Sequence, residues 1–169
     1  MNKENYKIND EGDYLNSVSK VDIPWLERLL DVWVDLDNEQ KWFTPIQVNA
    51  LEKFKSLPNS NNINLRTELE KVYFSELKKN RIQNIEYVDI FETINWEETQ
   101  ICIPKHSQSQ NRYVLLLPET NWEITDSDCT LELEVLFTNE KIEICQEMSG
   151  LWCRTEWLDY YLKRPKNVL

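Results

Sequence analysis

Two glycines, Gly12 and Gly150, serve the whole 169-residue chain, where average usage of about 7% would supply about twelve. A phosphate cradle, a dinucleotide fingerprint and a nucleophile elbow each need glycine at fixed spacing, so none can be written here. Turns are expected to fall to Asn, Asp, Ser and Pro. Histidine is scarcer still, with His106 standing alone in the polar stretch 105–111. General acid–base work usually falls to His. A nucleophile–base pair of Cys102 with His106 shows no third group to orient it, so His106 reads as an exposed loop residue. The four cysteines, Cys102, Cys129, Cys145 and Cys153, lack the close pairs of a zinc site or redox motif.

Long hydrophobic runs are also missing. The first residues contain no apolar core, which predicts no signal peptide. No run approaches the ~20 residues of a membrane span. Reduced core thiols in a cytoplasmic protein are the expectation. Two acidic segments resemble cation loops only at first sight. Asp126-Ser-Asp128, with Glu123 nearby, is oxygen-rich but has no glycine for a tight loop, and reads as a turn. The run beginning at Asp35 has Gln40 where a calcium loop needs Gly and Ile46 where it needs Glu. No cofactor and no metal are expected.

Aromatics, by contrast, are plentiful. Seven Trp, seven Tyr and five Phe argue for a packed domain. The expected organisation is a flexible N-terminal tail over 1–13 and a single α+β domain over 14–169. Charge is unevenly placed. Residues 86–147 hold fourteen acids against Lys105, Arg112 and Lys141, which accounts for the whole net charge of −11. Such a field repels nucleic acid and anionic membrane and attracts basic proteins or cations.

Periodicity supplies the elements. A weak strand is read at 14–21. Leu30, Val32, Val34 and Leu36 alternate as one face of a half-buried strand. Thr44-Pro-Ile-Gln47 is a capping box with proline at the first helical position, and Val48, Leu51, Phe54 and Leu57 follow at helical spacing. Residues 58–62 stop that helix, and a second runs from about Leu65 to Lys79. The stretch 87–96 is open between strand and short helix. Strands are read at 100–104 and 113–117. A hairpin of Leu131–Thr138 and Lys141–Gln146 turns at Asn139-Glu140, and a short helix runs from Thr155 to Leu162. Strands kept apart from helices indicate α+β. The expected architecture is an antiparallel sheet with an N-terminal strand, a central helix pair packed on it and a short C-terminal helix.

A two-residue hairpin loop pairs Phe137 with Ile142 and Val135 with Ile144 on one side. Glu132, Glu134, Glu143 and Glu147 then share the other side. Like charges opposed across strands are destabilising, so such a face is either a solvated surface or a docking site offset by a basic partner. Trp33, on the strand face of Asp31 and Asp35, and Trp152, just after Gly150, are the candidate apolar anchors, since Trp is enriched at interface hot spots.

The order Ile23-Pro-Trp-Leu26, strand 30–36, Thr44-Pro-Ile-Gln47-Val-Asn-Ala50-Leu51 opening a helix, and a second helix bearing Tyr73-Phe74 resembles an uncharacterised family of small bacterial proteins. That family is similar to the immunity proteins of polymorphic or contact-dependent toxin systems. The resemblance implies no catalytic residues. It implies a non-enzymatic, acidic binding protein that neutralises a basic partner such as a toxin nuclease domain. Two alternatives stay open: a ligand-binding or structural domain with a Trp- and Tyr-lined pocket between helices and sheet, and a carboxylate- or metal-dependent hydrolase.

Overall fold

The structure, a computed structural model, describes residues 3–37, 39–80, 88–105, 112–122 and 131–147. Eight strands and two α-helices make up most of it. The N-terminal third contributes β1 (Tyr6–Ile8), β2 (Tyr14–Ser17), β3 (Val21–Ile23) and β4 (Arg28–Asp35). The helix pair α1 (Pro45–Lys55) and α2 (Ser60–Lys79) follows. Then come β5 (Ile94–Ile103), β6 (Tyr113–Thr120), β7 (Leu133–Thr138) and β8 (Lys141–Glu147). The sheet order is β1-β2-β4-β5-β6-β7-β8, with β3 paired to β4 beside it.

The expected antiparallel α+β architecture with one N-terminal strand is overturned. The sheet is large and mixed, because β4 pairs parallel with β5, Asp31 opposite Gln100 and Val34 opposite Ile103. Parallel neighbours need a crossover of a dozen or more residues. The helix pair is that crossover, carrying the chain from the end of β4 to the start of β5. Four strands precede the helices, not one. Tyr6–Ile8, inside the segment expected to be a flexible tail, pairs with β2, and Tyr6 packs edge-on against Phe43 at 4.8 Å. The helix expected at 155–162 lies outside the described residues.

Local signals explain the elements that were read correctly. In β4, Leu30, Val32 and Val34 are buried while Asp31, Trp33 and Asp35 are half-buried on the other face. The capping box of α1 is formed, with the Gln47 backbone N donating to Thr44 Oγ1 at 3.2 Å and Thr44 N donating to Gln47 Oε1 at 3.0 Å. Ala50, Leu51 and Phe54 of α1 and Leu65, Leu69 and Leu77 of α2 are buried. Trp25 meets Phe54 and Phe137 edge-on at 5.4 and 5.9 Å, closing the layer between helices and sheet.

A second apolar cluster occupies the opposite sheet face: Cys102, Tyr113, Leu115, Leu117 and Leu136, with Ile144 against them. The middle strands are therefore buried on both sides, and residues 113–117 form a continuous apolar run. Such runs are the mark of a strand covered on both faces.

Candidate binding face

The hairpin turn forms as expected. Asn139 and Glu140 both have positive φ, 49° and 68°, which suits the right-handed twist of a two-residue hairpin. Thr138 faces Lys141 and Phe137 faces Ile142. Beyond that pair the register shifts, and Val135 faces Cys145 where Ile144 was expected. A bulge inserts one unpaired residue and swaps the faces of everything after it.

That swap disperses the expected acidic face. Glu147 lies opposite Leu133, on the helix side, 3.9 Å from Lys79. Glu143 stands exposed. Glu134 points to the second face but is only 2% exposed, and its Oε1 accepts a bond from Gln146 Nε2 at 2.6 Å. Burial pushes the Glu134 carboxyl up to about 7, and the Gln146 amide opposes part of the rise. Glu132 alone of the four is exposed on the second face. Trp152 lies outside the described residues, as do His106, Asp126 and Asp128.

Two of the expected residues do meet. Trp33 and Glu132 line one cavity of about 230 Å³, together with Glu98, Gln100, Leu117, Pro118, Glu119 and Leu133. Trp33 is held from β2 by Tyr14, stacked at 5.5 Å with an 18° tilt, and lies opposite Asn16 and Cys102. Glu119 and Glu132 form an isolated antiparallel bridge, like charge facing like charge. Glu98 arrives through an irregularity in β5, whose pairing to β6 shifts between Asn95 and Gln100. Thr99 supports that irregularity, its Oγ1 donating to Asn95 O at 2.8 Å, and is itself buried. Glu97 and Glu98 are left exposed.

Glu98 and Glu119 escaped the sequence reading. Both belong to the acidic stretch, but period-two alternation carries no information about a break inside β5. Among the described residues neither Glu98 nor Glu132 has a basic partner, whereas other surface acids do. Glu140 takes Arg112 at 2.6 Å and Glu68 takes Lys71 at 2.6 Å. Three glutamates and Trp33 thus line one cavity, a combination suited to a cationic side chain.

Little else supports chemistry. Cys102 is fully buried, and its thiol donates weakly to Asp35 at 3.8 Å. Burial, with Glu68 adding to it, pushes the Cys145 thiol up to about 12, which makes it a poor nucleophile at neutral pH. Among the described residues no group of three or more side chains could hold a metal ion. No described helix is long and apolar enough to cross a membrane. Neither a protein-family model, nor a curated protein, nor a solved structure matches the chain.

Proposed function

We propose that this chain is a non-catalytic cytoplasmic binding protein that captures a basic partner by drawing a Lys or Arg side chain into the Trp33 cavity. The observation that carries the reading is the convergence of Trp33, Glu98, Glu119 and Glu132 on one cavity. Its volume of about 230 Å³ falls below the ~300–1,000 Å³ of ordinary small-molecule sites and suits one side chain. An indole face attracts a cation, and carboxylates supply charge-assisted bonds to a guanidinium.

Around that anchor, the acids of residues 86–147 would steer the encounter. A partner that grips phosphate must present Lys and Arg, so a toxin nuclease neutralised in the manner of an immunity protein fits this chemistry. The test is to recover the partner by co-purification from the native host and measure its association rate against salt. The rate is expected to fall steeply up to about 0.15 M salt. Trp33→Ala and Glu132→Gln are expected to speed dissociation, each by roughly tenfold or more. An association rate flat in salt, with both variants binding as the parent does, sinks the reading.

A further inference from the structure

The second face of the sheet is buried, yet no described element lies over it. Cys102, Tyr113, Leu115, Leu117 and Leu136 form its apolar cluster and are at most 6% exposed. A sheet face open to water leaves such side chains solvated. The buried apolar side chains of α1, α2 and the short turns Pro24–Leu26 and Ile90–Thr93 all belong to the cluster on the first face. Trp33, Asp35, Gln100, Cys102, Tyr113 and Glu119, all on the second face, each make a further polar, ionic or ring interaction beyond those named above.

Sequence narrows the choice of cover. Of the longer stretches outside the described residues, 106–111 contains no apolar residue and 123–130 contains only Ile124 and Cys129. Residues 81–87 join α2 to the Ile90–Thr93 turn, and both of those pack on the first face. The stretch 148–169 differs from all three. Leu151, Trp152, Trp157, Leu158, Tyr161 and Leu162 supply bulky apolar surface. Its Arg154, Lys163, Arg164 and Lys166 outnumber Glu156 and Asp159, and are opposite in sign to Glu98, Glu119 and Glu132 at the margin of the face. The stretch follows Glu147 at the end of β8, four strand spacings from β4. That distance is about 19 Å, which its 22 residues cover even at the ~1.5 Å rise per residue of a helix.

We propose that residues 148–169 dock across the second face of the sheet, covering the Leu115 and Leu136 cluster with their Trp, Tyr and Leu side chains and turning their basic residues toward the acids at its margin. Burial of apolar area on both surfaces drives the docking, and opposite charge orients it. Leu117 belongs to both the cluster and the Trp33 cavity, so the docked segment borders that cavity without filling it. The proposal holds whatever the nature of the partner.

Methyl-to-aromatic NOEs in the intact protein test it. The Leu115 and Leu136 methyl groups should show NOEs to ring protons of Trp152, Trp157, Tyr160 or Tyr161. A mixture of differently isotope-labelled copies should show none between copies. Methyl groups that see no ring of 148–169, or see one only across copies, overturn the proposal. Thiol labelling at Cys102, located by peptide mass, gives a second readout. The double variant Trp152→Ala/Trp157→Ala should raise its rate by roughly tenfold or more. A Cys102 rate that stays at the parent value, or rises no more than that of Cys145 on the first face, overturns the docking.

Discussion

Gln47 carries more hydrogen bonds than a capping box requires. It is fully buried, and beyond its exchange with Thr44 its Nε2 donates to the Asp35 carbonyl at 2.8 Å while its Oε1 accepts from Gln40 Nε2 at 2.7 Å. One side chain thereby ties the start of α1 to the end of β4. Replacing it with Ala removes the partner of several part-buried polar groups, so Gln47→Ala should cost roughly 3 kcal/mol, seen as a lower urea midpoint. Thr44→Ala removes the two hydroxyl bonds to Gln47, at 3.2 and 3.3 Å, and should cost about 1 kcal/mol. Glu134 works in the opposite sense. Because its folded-state pKa is raised, its contribution is fully present below 4.5 and is lost as pH rises through about 7. Relative to Glu134→Gln, the parent should lose on the order of 3 kcal/mol across that window, measured by denaturant unfolding at each pH. Equal pH dependence in the two proteins would refute this.

At the scale of elements, the shortage of glycine has a structural consequence. Left-handed backbone occurs at Gly12 but also at Glu27, Glu39, Asn139 and Glu140. The sequence reading assigned turns to Asn, Asp, Ser and Pro, yet glutamate fills three of these positions. A side chain in the left-handed region costs ~1–2 kcal/mol, partly offset because glycine loses more freedom on folding. Glu27 is exposed, with φ 56°, at the C-cap of the short 3-10 turn Pro24–Leu26. Glu27→Gly should therefore stabilise the protein by about 0.5–1 kcal/mol, read as a higher urea midpoint. Glu140 makes a poorer test, because the same substitution loses its ion pair with Arg112. The irregularities in β5 and β8 act at this scale too. The first brings Glu98 to the cavity, and the second sends Glu147 away from it.

For the whole molecule, the decisive feature is a sheet with apolar clusters on both faces. An acidic outer sheet face was expected, and the structure sets an apolar cluster there, with Glu98, Glu119 and Glu132 lining one cavity. The hint was legible in the unbroken apolar run at 113–117, which alternation alone does not explain. The parallel pairing also had a trace in the long helical connection between two strand patterns. Under the proposed function, long-range attraction belongs to the net charge of −11, while residence time belongs to the cavity. Salt should accordingly act on the association rate, and cavity variants on dissociation.

Sequence alone determined what local physics controls. The capping box, the helix stripes, the alternation of β4, the two-residue hairpin turn and the segregation of charge all arise from residues near one another in the chain. Tertiary structure decided the rest, because it depends on which distant segments pair and how. Partner choice made β4 and β5 parallel. One extra residue in β8 reversed the faces beyond it and split four glutamates that simple alternation had placed together. Desolvation by packed neighbours, invisible in a list of residues, raised Glu134 to about 7. The cavity exists because β4, β5, β6 and β7 each bring a side chain to one place, and no single stretch of sequence contains it.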